Sequence, residues 1–471
     1  MKNGKKNNKN ITRREFIAKT SAVAAFMIVP RYVLGGKGYT APSDKLNIAA
    51  IGVGGKGRTD IASVSSENIV ALCDVDDNKI AESLTFADKW AAKKGLPNNP
   101  LTKLPKYKDF RVMLEKQNDI DAVTISTPDH THAVAAMASI QLGKHTFVQK
   151  PLTHSVDEAY QLSRAAKKSG VITQMGNQGH AGEGIRLMSE WIDDGAIGQI
   201  TEVECWTNRP IWDQGIPRPT DKQSTPSTLD WNLWLGPAPF REYHSSYAPF
   251  SWRAWCDFGT GALGDMGAHI FDIPYHVLKM EHPNSVYATS TKFNGESWPV
   301  ASTVYYEFPK RKSGLKFPKK KWLPPLKLTW YDGGIMPPRP ENIEPGRIMG
   351  DKDGGVLFLG DKGMIMCGCY GSNPRLVPET SMKSYNRPKK TIPRSPGIHE
   401  EWIECIKTDK QPTANFDYAA KLTGTMLLGN IAVRMAGMNK KLEWDSENLQ
   451  FSNLDDANEF LSRKYRDGWT L

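Results

Sequence analysis

The amino-acid sequence predicts an N-terminal Rossmann domain with a doubly wound parallel sheet, followed by an α+β domain with an open, mostly antiparallel sheet. Strand-like and helix-like segments alternate strictly from Lys45 to Met175, which is typical of a parallel sheet covered by helices. A glycine-rich run follows the first of these strands, and short β-leaning segments between turn residues dominate after residue 280. A chain of 471 residues, 39% of them hydrophobic, is long enough for two domains.

In the first half, short apolar runs predict strands and longer amphipathic runs predict helices. The predicted strands are Leu46–Val53, Ile69–Leu72, Ala122–Ile125, Thr146–Val148 and Val171–Met175. One helix is predicted after Gly55, and the others are Asp77–Lys94, Ala133–Leu142 and Asp157–Lys168. We place the first domain at residues 44–176.

The second half begins with a predicted helix and strand, which are followed by a Trp/Pro-rich insert that ends at Phe258. The predicted helices of this half are Gly184–Asp194, Gly264–Leu278, Ile398–Lys407 and Tyr418–Met435. The predicted strands are Ile200–Trp206, Val286–Thr291, Ser302–Phe308, Leu326–Tyr331, Gly355–Leu359 and Met364–Cys367. We place the second domain at residues 177–437 and interpret residues 438–471 as a C-terminal tail.

The first 36 residues have the layout of an export signal. A Lys/Asn-rich start is followed by the run Thr12-Arg13-Arg14-Glu15-Phe16-Ile17 and then by the apolar stretch Ala22–Val29. The adjacent arginines resemble a twin-arginine (Tat) signal, whose pathway exports folded proteins that can carry a bound cofactor. The apolar stretch is well short of the roughly 20 residues that a spanning helix needs. We therefore expect an exported, periplasmic protein with no membrane attachment after export.

The formal net charge of +10 comes mostly from this N-terminal segment. Residues 1–36 carry a net charge of +7, which leaves +3 for the rest of the chain. Such a small excess argues against nucleic acid as a partner. The six cysteines are too few and too scattered for a disulfide framework or a zinc module, and we expect mostly buried thiols.

The run Gly52-Val53-Gly54-Gly55-Lys56-Gly57 directly follows the first predicted strand and opens a helix. In a dinucleotide site, such glycines make the tight turn, let the backbone approach the pyrophosphate and let helix and strand pack closely. Asp74 ends the second strand, where a carboxylate binds the adenosine ribose and repels a 2′-phosphate. The sequence therefore predicts NAD in preference to NADP, with these cofactor contacts: Gly52, Gly54, Gly55, Gly57 and Asp74.

Three further segments resemble the Gfo/Idh/MocA family of oxidoreductases. Gln149-Lys150-Pro151 stands where the family carries Glu-Lys-Pro, so the lysine is retained and glutamine replaces glutamate. Thr127-Pro128-Asp129-His130-Thr131-His132 resembles the family's Thr-Pro-Asn-x-x-His segment beside the cofactor. Gly264-Asp265-Met266-Gly267-Ala268-His269 carries the Asp-x-x-x-His of the family's active site. The resemblance covers roughly residues 45–434, and the N-terminal segment is similar to that of exported, Bacteroidetes-type members.

The resemblance implies a set of cofactor contacts and a catalytic group. Oxidation of an alcohol requires a base for the hydroxyl proton while hydride leaves the carbon for the nicotinamide. His269 suits the base, and Asp265, four residues earlier on the same helix face, would orient it. Lys150 would stabilise negative charge on the substrate oxygen. The further cofactor contacts that the resemblance implies are Thr127, Pro128, His132, Gln149 and Lys150.

A metal site is the alternative for this helix, because His269, Asp272 and His276 also share one face. Only one helix supplies these ligands, and we expect no metal. For substrate hydroxyls, the first candidate is the polar loop Asn177-Gln178-Gly179-His180 after a parallel strand, and Asn208 and Arg209 are lesser candidates. Six tryptophans in or beside the insert could stack on sugar rings, but we expect most of them in the core: Trp206, Trp212, Trp231, Trp234, Trp252 and Trp255.

These features predict an NAD-dependent dehydrogenase that oxidises, or reversibly reduces, a ring hydroxyl of a sugar or glycoside, with C3 as the first candidate. Because free NAD is scarce outside the cytoplasm, we expect a tightly bound cofactor. Two alternatives stay open. One is an NAD-dependent, redox-neutral glycosidase of the α-N-acetylgalactosaminidase type, and the other is a non-catalytic sugar-binding protein. By family analogy, an exposed face of the second sheet would suit a homo-oligomer.

Overall fold

The computed structural model describes residues 44–93, 99–312 and 322–471. The predicted export signal at residues 1–36 lies outside this part of the chain. Residues 47–471 form one compact unit that contains both predicted domains. None of the helices in the described ranges combines the length and apolar character needed to cross a bilayer.

The first sheet is parallel throughout, and in the described part of the chain it has six strands in the order β3-β2-β1-β4-β5-β6. Its strands are β1 (Asn47–Ile51), β2 (Asn68–Cys73), β3 (Lys106–Tyr107), β4 (Ala122–Ile125), β5 (His145–Val148) and β6 (Thr173–Met175). All of β4 is buried, because helices cover both faces of the sheet. The reversal of strand order beside β1 confirms the predicted doubly wound Rossmann fold.

Five helices connect these strands within the described ranges: α1 (Gly55–Ser63), α2 (Asp77–Lys93), α3 (Phe110–Lys116), α4 (Asp129–Gln141) and α5 (Val156–Ser169). The ends of α5 follow directly from the local sequence. Ser155 caps its first turn and Glu158 bonds back to complete a capping box, while Gly170 ends it in the left-handed region with a φ of 75°. α3 was not predicted, since its seven residues are too few for a clear periodic pattern.

The second sheet is mixed and mostly antiparallel, which confirms the predicted class. It has nine strands among the described residues, in the order β15-β14-β13-β7-β12-β9-β8-β16-β17, and only β7 and β12 pair in parallel. The strands are β7 (Ile200–Thr207), β8 (Ser285–Ser290), β9 (Ser302–Phe308), β10 (Arg311–Lys312), β11 (Trp322–Leu323), β12 (Leu326–Tyr331), β13 (Gly354–Gly360), β14 (Gly363–Gly368), β15 (Arg375–Val377), β16 (Leu442–Asp445) and β17 (Gln450–Phe451). β10 and β11 form a separate two-stranded hairpin.

Two predictions about the second half need correction. The helix predicted over Gly264–Leu278 is divided in two, because Pro274 has no N–H to continue the hydrogen-bond ladder. The segment 438–471 is not a free tail, since β16 pairs with β8 and extends the sheet. The helices of this half are α6 (Glu183–Asp193), α7 (Trp231–Leu235), α8 (Gly261–Ile270), α9 (Asp272–Val277), α10 (Glu379–Ser384), α11 (Ile398–Thr408), α12 (Phe416–Arg434) and α13 (Asp455–Asn458).

The Trp-rich insert has a small aromatic core of its own. Trp231 and Trp234 stack with their ring centroids 4.6 Å apart, and Phe258 packs edge-on against both rings. All six tryptophans singled out from the sequence are at most 8% exposed, which agrees with the expectation of a structural role. All six cysteines are free thiols, and all but Cys405 are buried.

Candidate active site

Two glycines, one in the loop after β1 and one in the first turn of α1, lie where a side chain would collide with the backbone. Gly52 has a φ of +76°, and a Cβ atom there would lie 2.7 Å from the carbonyl carbon of Ser126. A Cβ atom on Gly57 would lie 1.9 Å from the carbonyl oxygen of Gly52, because α1 packs directly on the loop. A Cβ atom on Gly55 would meet nothing within 4 Å. The loop is therefore tight on its protein side and open where a diphosphate binds at a helix N-terminus.

Asp74 directly follows β2 and lies beside this loop. Its Oδ2 accepts hydrogen bonds from the backbone N–H groups of Val53 at 2.9 Å and of Gly54 at 3.3 Å. Its Oδ1 accepts a third from the N–H of Asp76 at 3.1 Å. Burial raises the pKa of Asp74 to about 6, although these hydrogen bonds oppose the shift. The carboxylate fixes the glycine loop at the point where a Rossmann fold recognises a ribose.

A cavity of about 1110 Å³ runs from Asp74 to Lys150 along the carboxyl ends of the parallel strands. Doubly wound sheets bind their ligands at this edge, and the open glycine loop forms part of its wall. The residues present therefore fit a dinucleotide. Eight of the ten predicted cofactor contacts line the cavity: Gly52, Gly54, Gly55, Asp74, Thr127, Pro128, Gln149 and Lys150.

His132, predicted as a cofactor contact, lies behind the cavity wall instead. It is 1% exposed, and its two ring nitrogens face the carbonyl oxygens of Pro151 at 2.8 Å and Thr127 at 2.9 Å. The first turn of α4 directs this side chain between the loops that follow β4 and β5. His132 thus holds these two loops in place, and Gly57 likewise acts through packing.

The opposite wall of the cavity comes from the Trp-rich insert. The insert is joined to the loop after β2, where Asp77 donates its N–H to the carbonyl of Thr228 at 3.1 Å. Two residues later, Asp230 donates its N–H to the carbonyl of Val75 at 2.9 Å. The insert residues that line the cavity include Leu229, Leu233, Trp234, Tyr243, Phe250 and Arg253.

The end of the chain closes the same side of the cavity. Trp469 lines it, and the guanidinium of Arg111 lies 4.3 Å from the centroid of the Trp469 ring. Arg466 donates to the Asn232 side chain at 2.7 Å and so ties the chain end to the insert. A cofactor in this cavity would contact the first domain, the insert and the last residues.

Lys150 and Asp265 form an ion pair at the inner end of the cavity. The Lys150 Nζ donates to Asp265 Oδ1 and to the Asp265 carbonyl oxygen, both at 2.8 Å. Arg253 Nε lies 3.3 Å from the same Oδ1. Burial opposes ionisation of Asp265, but the charges of Lys150 and Arg253 outweigh it and hold the pKa of Asp265 well below its usual range. Asp265 therefore orients Lys150, and the hydrogen bond to His269 expected from the sequence is not formed.

His269 lies one helical turn beyond Asp265 on α8 and is 3% exposed. Its Nδ1 is buried without a hydrogen-bond partner, and its ring packs edge-on against Tyr370 at 4.7 Å. Burial, with the nearby charge of Lys150, lowers the pKa of His269 well below its usual value. The imidazole is therefore neutral, with one nitrogen able to accept a proton.

The loop after β6 supplies more buried polar atoms without partners. Asn177 is fully buried, and neither its Oδ1 nor its Nδ2 has a hydrogen-bond partner. The His180 Nδ1 lies 2.8 Å from Asp272 Oδ1, while its Nε2 has no partner. Such orphaned groups cost free energy unless water or another polar molecule completes their hydrogen bonding, and neither Asn177 nor His180 is among the residues that line the cavity. Gln178, the other residue predicted here, is half-buried.

Asp272, the alternative metal ligand, is engaged in hydrogen bonds with other side chains. It bonds His180, and the hydroxyl of Tyr418 donates to its Oδ1 at 2.6 Å. No group of three or more His, Cys, Asp or Glu side chains in the described part of the chain is arranged to hold a metal ion.

Arg209 and Asn208 lie at the end of β7, tied to the loop before β13. Arg209 lies 3.3 Å from Asp353 Oδ1, and the Asn208 amide donates to the carbonyl of Lys352 at 2.7 Å. The charge of Arg209 acts on His269, since it helps to lower the pKa of His269. Asn208 is exposed and Arg209 is half-buried.

Two residues of this site were missed from the sequence. Arg253 stacks on Trp252, with its guanidinium 4.2 Å from the ring centroid, and reaches Asp265 from the insert. Tyr370 follows β14 and covers His269. Neither belongs to a motif, and Tyr370 reaches the site through a contact with a residue about a hundred positions earlier.

The fold and the cavity define a dinucleotide-binding oxidoreductase of the Rossmann class. Residues 46–177 match the family described as "Oxidoreductase family, NAD-binding Rossmann fold", and residues 199–304 match its "C-terminal alpha/beta domain". The chain therefore belongs to the Gfo/Idh/MocA family.

Individual relatives are similar over part of their length. A levoglucosan dehydrogenase of Pseudarthrobacter phenanthrenivorans is 28% identical over 183 residues, which are 38% of this chain and 39% of that protein. A glycosyl hydrolase family 109 protein of Shewanella pealeana is 29% identical over 164 residues, 34% of this chain and 35% of that protein. The chain thus spans less than half the length of either relative. A solved levoglucosan dehydrogenase in complex with NADH and levoglucosan shares the fold, with a TM-score of 0.53, 17% identity, and coverage of 84% of this chain and 99% of that one.

Proposed function

We propose that this protein is an NAD-dependent dehydrogenase that oxidises, or reversibly reduces, a ring hydroxyl of a sugar or glycoside, with C3 as the first position to test. The observation that carries the proposal is the Lys150–Asp265 pair at the inner end of the dinucleotide cavity, one helical turn from the unpartnered His269. The levoglucosan dehydrogenase relative and the family's NAD-binding domain support the same activity.

Lys150 and Asp265, which line this end of the cavity, and His269, which is buried one helical turn beyond Asp265, suit removal of a proton from a hydroxyl. Lys150 has three N–H bonds, and two of them are directed to Asp265, which leaves one for the substrate oxygen. That N–H stabilises negative charge as the oxygen loses its proton. Neutral His269 accepts the proton, and bound NAD supplies the hydride acceptor. Asn177 and His180 Nε2 have no hydrogen-bond partners and are the proposed groups for neighbouring ring hydroxyls, although neither residue lines the dinucleotide cavity.

A glycoside panel tests this proposal against its main alternative. Incubation of the purified holoprotein with sugars and glycosides should produce a keto-sugar, detected by mass spectrometry, together with the absorbance of reduced nicotinamide. Release of the aglycone with no net reduction would instead favour a redox-neutral glycosidase, which the family 109 relative suggests. A protein that binds sugars and converts none would contradict both enzymatic functions.

The aromatic residues that the insert and the last residues add to the cavity wall support a further part of the proposal, that NAD is bound tightly. Replacing Trp469 by alanine removes the aromatic ring that closes the cavity beside Arg111 and should speed NAD release about tenfold, the equivalent of ~1.4 kcal/mol. Release is measured by dilution of the holoprotein into a NAD-scavenging enzyme. Trp322→Ala is the control, because this exposed ring also contacts a cation but lies outside the cavity lining. Equal release from both variants would show that the chain end does not retain the cofactor.

The pKa of Asp74 leads to a pH-dependent cofactor affinity. With a pKa of about 6, the carboxylate is ionised above pH 6 and can accept hydrogen bonds from ribose hydroxyls, and below pH 6 it becomes protonated. NAD affinity should therefore fall as the pH drops from 7.5 to 5, by about tenfold if one such hydrogen bond is lost. Asp74→Asn should remove this pH dependence and narrow the preference for NAD over NADP. An unchanged pH profile in Asp74→Asn would contradict the assignment.

We also propose that residues 1–36 direct export to the periplasm by the Tat pathway, because a cofactor enclosed in a folded protein travels with it. Arg13 and Arg14 are the pair on which the pathway would depend. Replacing both by lysine should retain the protein, with its NAD, in the cytoplasmic fraction. Unchanged fractionation would contradict this route.

A further inference from the structure

Asp60 lies on α1, just below the glycine loop, and is completely buried. Its Oδ1 accepts from Lys56 Nζ at 2.8 Å and from His399 Nε2 at 3.0 Å. Its Oδ2 accepts from Ser126 Oγ at 2.8 Å and from Gln149 Nε2 at 2.9 Å. One carboxylate thus collects four side-chain donors.

This carboxylate is ionised in spite of its burial. Burial alone would favour the protonated form, but the hydrogen bond from His399 and the charge of Lys56 outweigh it and lower the pKa of Asp60. Burying a charge this completely is costly unless every lone pair is satisfied. Four donors fulfil that condition, so Asp60 stays ionised beneath the cavity floor, paired with Lys56, whose side chain is partly exposed.

The donors of Asp60 come from segments that are separate in sequence. Ser126 directly precedes the cavity residue Thr127, and Gln149 directly precedes Lys150. His399 comes from α11 in the second half of the chain and stacks on Phe147 of β5, with ring centroids 4.6 Å apart. Asp60 therefore joins both cofactor loops to the glycine-loop helix and to the second domain.

The orientation of Gln149 is confined as well. A Cβ atom on Gly176 would lie 2.7 Å from Gln149 Nε2, so the amide fits only because residue 176 has no side chain. Gln149 lines the cavity on one side and donates to Asp60 on the other. The Gln149 amide is neutral, whereas the Asp60 carboxylate, 2.9 Å from it, is charged.

We propose that Asp60 is a positioning residue, which holds Gln149 and the adjacent Lys150 in place and supplies the negative charge under the cofactor that Gln149 lacks. This inference rests on the proposed NAD-dependent function. The oxidised nicotinamide ring is cationic and the reduced ring is neutral, so a fixed anion stabilises the oxidised form more than the reduced form. Gln149 lies between Asp60 and the cavity, so Asp60 acts through Gln149 and does not itself contact the substrate.

An exchange of amide and carboxylate tests the proposal. The proteins compared are the wild type, Asp60→Asn, Gln149→Glu and the double variant, each as holoprotein without substrate. The bound cofactor is titrated against a dye couple through the absorbance of reduced nicotinamide. Asp60→Asn should shift the ratio of bound NAD⁺ to NADH affinity about tenfold toward NADH, which raises the midpoint potential by about 30 mV.

The single variant Gln149→Glu places two carboxylates in contact without solvent, so it should lower the melting temperature and weaken cofactor retention. In the double variant one carboxylate again faces one amide, and both the potential and the melting temperature should return toward the wild type. Asp332→Asn is the control, because Asp332 is a buried carboxylate with three donors in the second sheet, far from these loops in the fold. It should lower stability without changing the potential.

A purely structural role for Asp60 would give a different result. Asp60→Asn and Asp332→Asn would then both lower the melting temperature and leave the potential unchanged, and the effects in the double variant would be additive. Either finding overturns the proposal. The absence of sugar oxidation by the wild type would contradict the proposed function instead, since this titration uses only the bound cofactor.

Discussion

Replacing Lys150 by alanine should abolish sugar oxidation while the protein stays folded and retains its cofactor. Two N–H bonds of Lys150 are directed at Asp265, and the third is the proposed donor to the substrate oxygen. The substitution removes this donor. It also leaves Asp265 paired with Arg253 alone. Loss of a preorganised donor at a developing oxyanion lowers kcat by about 10²- to 10³-fold, and loss of the oriented charge brings the expected decrease to ~10³ or more. The measurements are kcat, cofactor content and melting temperature.

Lys441→Ala is the matched control, because Lys441 also pairs with a carboxylate, Glu307, at 2.8 Å but lies on the exposed edge of the second sheet. This variant should keep wild-type kcat. If Lys150→Ala retained more than about a tenth of the wild-type kcat with full NAD content, Lys150 would have no direct role in the chemistry.

The Rossmann half was predictable because its information is local. Five of the six strands of the first sheet were predicted from short apolar runs, and the glycine motif follows β1 directly, so periodicity and spacing locate most of the sheet and its cofactor edge. β3, Lys106–Tyr107, has no apolar run and was not predicted. The positions of Lys150, Asp265 and His269 followed from motifs in the same way. The roles of these residues did not follow from the motifs. Asp265 pairs with Lys150 and not with His269 because of the position of α8 relative to β5.

The contributions of the insert and of the last residues were not predictable from the sequence. Arg253 reaches Asp265 from only 12 residues earlier, but it belongs to no recognisable motif. Tyr370 and Trp469 reach the site through packing between segments more than a hundred residues apart, and no local pattern marks such contacts. β16 was not predicted for the same reason. Its four residues are too few for a periodic signal, although they pair with β8. In the sequence, Asp60 looks like an ordinary carboxylate on a helix. Its role becomes apparent only from the four donors that the fold brings to it.

Replacing Gly57 by alanine should abolish cofactor binding, and oxidation with it. The added Cβ atom would lie 1.9 Å from the carbonyl oxygen of Gly52, which is backbone and cannot rotate away as a side chain would. Either α1 or the loop must move, by something on the order of 1 Å, and the N–H groups that face the diphosphate move with it. In a site whose groups must be held in position, a displacement of that size lowers the reaction rate about 100-fold. The purified variant should contain little NAD, as measured by release on acid denaturation.

Gly437→Ala is the control for the conformational effect of the substitution itself. Gly437 lies in a helical turn, and a Cβ atom there would meet nothing within 4 Å, so this variant should retain its NAD and its activity. A melting temperature measured for both apoproteins separates loss of binding from loss of folding. Because Gly57 contacts the loop and not the cavity, full NAD content in Gly57→Ala would mean that α1 can shift without disturbing the loop, and the cofactor would then have to be held mainly by the insert and the chain end.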